Sequence, residues 1–180
     1  MLLATSIRTA RLILQPLDPA TITDRYVHWL NDPQVNSHLE VRLLTQTLDR
    51  VRAFVCAQNE SSDSLLLGIF LGATGGEHIG NIKLGPIIEA HRRGDVGLLI
   101  GATAHWGKGY ATEAIAALTD YAHRTLGLTK VTAGIYASNV GSQRAFLKAG
   151  FIQEARLKSH WLRGHEWDDQ LLFAHFSEGR

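Results

Sequence analysis

Two glycines flank a lysine in Gly107-Lys108-Gly109, inside the stretch "WGKGYATEA" from Trp106 to Ala114, and a helix-forming sequence follows at once. A strand, a short bare loop and a helix start gather unpaired backbone N–H groups at the positive end of the helix dipole. Such a corner binds anions, phosphates above all. Glycine keeps side chains out of the way, and Lys108 adds a positive charge. Two phosphate loops do not fit. A Walker A loop needs four residues between its glycines and a Ser or Thr after the lysine; here Gly101 and Gly107 are separated by five residues and Gly109 follows Lys108. A dinucleotide fingerprint belongs to the first βαβ unit of a chain and needs a third glycine where Thr112 stands.

The elements that must position this loop follow from periodicity. Short apolar or alternating runs predict strands at Arg11 to Pro16, Ser64 to Gly72, His78 to Ile88, Asp95 to Gly101, Lys130 to Tyr136, Phe151 to Trp161 and Trp167 to Phe176. The second and third form a hairpin around the "ATGGE" turn, and "DVGLLIG" reads as a central strand buried on both faces. Helical spacing predicts Thr21 to Asn31, stopped by Asp32-Pro33, and Thr45 to Asn59, with Thr45 as N-cap. Two more helices run from Ala111 to Leu126, ended by Gly127, and from Asn139 to Gly150, capped by Asn139. The order βααβββαβαββ is that of one mixed α/β domain over residues 1–180.

Composition excludes more than it identifies. A net charge of +1, with 19% charged and 45% hydrophobic residues, predicts no general attraction to nucleic acid or acidic membranes. The single cysteine, Cys56, forms no internal disulfide, and neither a signal pattern nor a membrane-spanning apolar run is present, so a cytoplasmic location is expected. Nine histidines occur, none in His-Glu-x-x-His spacing, and no metal site is expected.

The loop resembles the pyrophosphate loop of the GNAT N-acetyltransferases, Gln/Arg-x-x-Gly-x-Gly/Ala, from Trp106 through Gly107, Lys108, Gly109 and Tyr110 to Ala111; only Trp106 departs from the pattern. "HWLNDPQVNSHLE", "EHIGN", "NVGSQRAFLKAGF" and "WDD" also resemble this family, in particular its branch of ribosomal-protein N-terminal (Rim-type) acetyltransferases, and together they span nearly the whole chain. The resemblance implies a central, mostly antiparallel sheet of six to seven strands with helices on both faces. It also implies acetyl-CoA as cosubstrate, an amine acceptor and a monomer or homodimer.

What the resemblance assigns to residues follows the same motifs. The diphosphate of CoA would lie on Gly107 to Thr112, and a backbone N–H of Leu99 or Ile100 would hold the thioester oxygen. Pantetheine would lie between the strand ending at Gly101 and the strand Lys130 to Tyr136, with Asn139 as a further contact. Many family members protonate the leaving thiolate with a tyrosine at the position of Phe146, which has no proton to give. Ser142, one helical turn earlier, would take that role. The branch's glutamate base is replaced in "KSHWLRG", where His160 is the candidate; Asp95 and His78 are reserves, and Glu113 complements the helix dipole. Trp29, His38, Glu40 and Arg42 would line the acceptor wall. Three readings stay open: a small amine acceptor such as an amino sugar, served by the basic "HRRG" at His91 to Gly94 if it meets a phosphate; a protein N-terminus; or a domain that binds CoA without transfer.

Overall fold

The computed structural model describes residues 6–72 and 76–178. Part of the "ATGGE" turn lies outside the described residues. Apolar runs too short for helices pair as strands: β1 (Ile7–Arg8), β2 (Leu12–Pro16), β3 (Leu65–Leu71), β4 (His78–Ile88), β5 (Arg93–Ile100), β6 (Lys130–Tyr136), β7 (Ile152–Arg163) and β8 (Glu166–Phe176). One sheet results, in the order β1-β2-β3-β4-β5-β6-β8-β7. Neighbours are antiparallel except β5 and β6. The expected six to seven strands are thus eight, because Ile7 and Arg8 pair with Leu14 and Ile13 in a strand too short to leave a sequence pattern.

Among the described residues five α-helices flank the sheet: α1 (Asp24–Asn31), α2 (Pro33–Asn36), α3 (Leu48–Glu60), α4 (Tyr110–Arg124) and α5 (Val140–Lys148). Pro33 stops α1 as expected but also opens α2, since its missing N–H is not needed in a first turn; Asp32 caps that turn by accepting from Gln34 N at 2.9 Å. The cap of α3 is Thr47, which accepts from Arg50 N at 3.3 Å, and not Thr45. The core lies where α3 and α4 meet the sheet, around Val55, Leu67, Ile82, Ile115 and Leu118.

The strand expected to be buried on both faces is β5, and the structure corrects this. Its pairing with β6 covers only Arg93↔Lys130, Gly94↔Val131 and Asp95↔Thr132. Beyond these pairs β6 stays with β8 but parts from β5, leaving Gly97 exposed and Leu98, Leu99 and Ile100 half-buried.

Histidine burial sets the acid limit of this fold. His78 lies among Phe70 and Trp29, with ring centroids at 4.8 and 5.1 Å, and burial pulls it below its ordinary value against hydrogen bonds to Asn81 and Gly80. Burial, followed by the nearby His123, lowers His175, and burial, followed by Arg163, lowers His38. A histidine depressed in the folded state binds protons preferentially when unfolded. Stability is therefore expected to be complete above the unfolded histidine value of about 6.5 and to fall as the pH drops below it. Urea midpoints measured between about pH 8 and pH 5 check this, and a midpoint that rises on acidification contradicts it.

Candidate active site

Between β5 and α4 the chain makes a short 3-10 turn, Thr103–His105, and then the glycine loop. Trp106 Nε1 donates to Ile100 O at 2.7 Å, so the tryptophan ties the loop back to β5 while its ring stays half-exposed. Gly107 and Gly109 have φ of 74° and 83°, a region that costs other residues about 1–2 kcal/mol. Trp106 N donates to Thr103 O at 3.0 Å and Glu113 N to Gly109 O at 3.1 Å. Between them, no backbone N–H from Gly107 to Thr112 meets an acceptor among the described residues. Successive free N–H groups with alternating backbone hand form an anion-binding concavity.

Arg11 holds this loop from behind. Its Nη1 donates to Lys108 O at 3.0 Å, and in a trans peptide the following N–H, that of Gly109, points the opposite way. Glu113 holds Arg11 in turn, accepting from its Nε at 2.7 Å and from its backbone N at 3.0 Å, and accepts from Thr9 Oγ1 at 2.6 Å. Burial acts to raise the Glu113 carboxyl, but the hydrogen bonds from Thr9 and Arg11 and the Arg11 charge outweigh it, and the group stays below its usual value. Glu113, expected only to complement the dipole, thus buckles the amino-terminal segment to the loop.

The two strands below the loop diverge like the sides of a wedge. Asp95 and Thr132 form the vertex, where Thr132 Oγ1 donates to the Asp95 carboxylate. Leu99 and Ile100 stand on the open stretch of β5, paired on their other side with Asn81 and Gly80 of β4. Helices α4 and α5 follow β5 and β6, so both start at the open end of the wedge. On the α5 side Asn139 accepts from Ser142 N at 3.0 Å, and the Ser142 hydroxyl has no hydrogen bond among the described residues. Phe146, expected among the cofactor contacts, has 2% of its surface exposed and stands edge-on to Phe151 at 5.0 Å, so its ring belongs to the core.

A polar cluster closes the end of β6. Tyr136 donates to the Glu40 carboxylate, and Arg42 Nη1 donates to Glu40 at 2.9 Å and to the Tyr136 hydroxyl at 2.9 Å. Burial acts to raise the Glu40 carboxyl, and these two hydrogen bonds with the Arg42 charge bring it below its ordinary value. Burial and the Glu40 contact push Tyr136 up to about 12. Trp161 of β7 stacks on Tyr136 at 5.2 Å, and His38 stands edge-on to the same ring at 5.6 Å. His38, Glu40 and Arg42 thus come together, as their shared segment suggested. Trp29 does not join them: it has 4% of its surface exposed and its ring fills the space where a Cβ on Gly101 would lie. His160 sits exposed on a bulge of β7, edge-on to Trp161 at 4.8 Å, with no hydrogen-bond partner among the described residues. The basic "HRRG" lies at the start of β5, by the closed end of the wedge, away from the loop after Ile100.

Residues 11–152 match the family described as acetyltransferase (GNAT) domain. The chain belongs to that family. Its domain is accordingly of the acetyltransferase (GNAT) type, and the wedge with its run of free amides suits a diphosphate and an extended amide-bearing arm. A Bacillus subtilis relative, the probable N-acetyltransferase YjcK, is 34% identical over 116 residues, which cover 64% of this chain and 63% of the relative. The chain spans 47% and 63% of the two curated relatives that it matches at 34% identity. Among solved structures, Vibrio cholerae spermidine N-acetyltransferase in complex with CoA and spermine has a TM-score of 0.80 at 19% identity, covering 93% of this chain and 96% of that one. Mycobacterium smegmatis RimJ in complex with CoA-disulfide has a TM-score of 0.79 at 20% identity, covering 93% and 82%. The likeness therefore runs across several branches of the family and does not single out the Rim-type branch, which corrects the narrower resemblance drawn from sequence. No group of three or more His, Cys, Asp or Glu side chains suited to a metal occurs among the described residues, and no helix among them is long and apolar enough to cross a membrane.

Proposed function

We propose that this protein moves the acetyl group of acetyl-CoA to the primary amine of a small molecule, such as an amino sugar, by direct attack in a ternary complex. The observation that carries the reading is the run of unpaired N–H groups from Gly107 to Thr112 at the head of the wedge between β5 and β6. The diphosphate of CoA takes those amides, and the thioester lies along the open stretch of β5 with its oxygen on the N–H of Leu99 or Ile100. The amine nitrogen attacks the carbonyl carbon, the C–N bond forms and the amine's surplus proton passes to the base; the C–S bond breaks, and the thiolate takes a proton from the Ser142 hydroxyl, which regains one from water. The acceptor approaches from the cluster of His38, Glu40 and Arg42.

The amine has to arrive unprotonated. An α-amino group, with a pKa near ~8, is partly neutral at pH 7, whereas a lysine-like amine near ~10.4 is almost wholly charged. His160 has free ring nitrogens at the border of the cluster and is the proposed base; His38 is held neutral, but its Nε2 lies 2.9 Å from Arg163 Nη1 and is already engaged. In a pH profile of kcat/KM the acid limb is expected to vanish in His160→Ala, and a limb left unchanged removes His160 from the mechanism.

Release of free CoA thiol over a panel of aminoglycosides, amino sugars and peptides tests the whole reading. Turnover with a small amine supports it. Turnover confined to peptide N-termini points to the protein-acetylating alternative, and CoA binding with no release for any amine points to a domain that binds without transfer. The position of "HRRG" beyond the closed end of the wedge leaves it no part in acceptor binding.

A further inference from the structure

The cluster at the end of β6 contains a cation and an anion that are not paired with each other. Arg42 is matched by Glu40. Arg163 is not matched by an anion: its one side-chain hydrogen bond among the described residues runs from Nη1 to His38 Nε2 at 2.9 Å, which also lies 3.0 Å from Ser138 Oγ, and it takes part in none of the ion pairs among those residues. Asp168 in turn accepts from Ser138 Oγ at 2.5 Å and from Ser138 N at 3.4 Å, and from no cation. Both are half-buried. A third group is unmet: the buried indole N–H of Trp161, on the same strand as Arg163 and stacked on Tyr136, has no acceptor. The β7 side thus carries a guanidinium with no anion, and Asp168 is a carboxylate held by Ser138 with no cation.

We infer that this cluster is a subsite for an acceptor that carries an anionic group besides its amine, a carboxylate or phosphate held by Arg163, while Asp168 faces the amine side. The inference rests on the acetyl-transfer reading only for the word acceptor; the subsite stands on the unpaired charges. It separates this protein's acceptor from amines that carry positive charge alone, for which Arg163 is repulsive, and selects among amino sugars those that also bear a carboxylate or phosphate.

His38 reports on the subsite without any turnover. Burial, then Arg163 and Arg42, lower its pKa, and Asp168 opposes them. An anion on Arg163 offsets the guanidinium charge, so His38 is expected to titrate higher by about half a pH unit or more. The experiment is an NMR titration of His38 in the full chain with CoA bound, in the presence of O-phosphoethanolamine against ethanolamine, and of phenylalanine against its methyl ester. The expected result is an upward shift with the member of at least one pair that carries the phosphate or carboxylate and none with the partner that lacks it, lost in Arg163→Met. The pair that responds identifies phosphate or carboxylate. A His38 titration that neither anionic amine moves, or one that moves equally in Arg163→Met, overturns the inference. A shift seen while no amine releases thiol leaves the subsite standing and removes the transfer reading. Where transfer does occur, kcat/KM is expected to favour the anionic member of the responding pair by about tenfold, and that ratio falls to about one in Arg163→Met.

Discussion

Replacing Gly107 and Gly109 together by alanine is expected to weaken CoA binding by about a hundredfold, equivalent to about 2.7 kcal/mol, while leaving the affinity for acetyl-pantetheine nearly unchanged. Both residues sit at positive φ, where alanine costs about 1–2 kcal/mol each, so the loop relaxes towards negative φ and turns its amides out of the concavity. Space is not the cause: a Cβ on Gly107 meets nothing within 4 Å, and one on Gly109 meets only Arg11 Nη2 at 3.5 Å. Backbone direction is. Acetyl-pantetheine has no diphosphate and so does not use those amides, which makes it the control. Calorimetry gives both affinities, and the rise in melting temperature with CoA, large in the parent and small in the variant, gives an independent check. Equal losses for both donors would mean that the substitution deforms the wedge itself. An unchanged CoA affinity would move the diphosphate elsewhere.

The loop was legible because its chemistry is local: bare backbone, positive charge and helix start all lie within a few residues. The elements around it were legible for the same reason, down to Asn139 as the cap of α5 and Gly150, at φ 90°, beyond its end. What escaped depends on distance. Arg11 and Glu113 are joined across 102 residues, and nothing near either one announces the other. Periodicity placed Trp29 on an apolar helical face but could not tell a substrate wall from the side of Gly101 that lacks a Cβ. The strand β5 has the composition of a buried strand, and only its partner's departure after Thr132 exposes it.

Arg163 was hidden by turn length. The closing hairpin was expected to turn over "LRGHE", whereas Arg163 pairs with Glu166 and only Gly164 and His165 form the turn, with Gly164 at φ 65°. Two residues more of strand bring Arg163 beside His38 and bring Leu162 O within 3.2 Å of Arg42. The same hairpin accounts for Asp168, whose "WDD" motif was noticed without a role. A short register difference at one turn thus decides whether the acceptor cluster is seen as three residues of the α2 to α3 connection or as a cluster shared with β7 and β8.

Ser142→Ala is expected to lower kcat by about a hundredfold at saturating acetyl-CoA, within the range usual for loss of a general acid, with little change in the KM for acetyl-CoA. The substitution should not disturb the fold, because the contact that matters to helix α5 is made by the Ser142 N–H to Asn139 Oδ1 at 3.0 Å, and alanine keeps it. Its hydroxyl, by contrast, has no partner to lose among the described residues, so any effect on turnover reports a contact made with substrate. Phe146 cannot substitute, since its ring is in the core and carries no exchangeable proton. If the hydroxyl protonates the departing thiolate, the deficit must depend on how badly that thiolate needs a proton. An acetyl thioester of an electron-poor aryl thiol, whose thiolate leaves unaided, should be used almost equally by parent and variant, and Ser142→Thr should recover part of the loss with acetyl-CoA. A variant that keeps full turnover with acetyl-CoA ends the assignment, and a deficit of the same size for both donors would make Ser142 a residue that positions the substrate instead of one that supplies its proton.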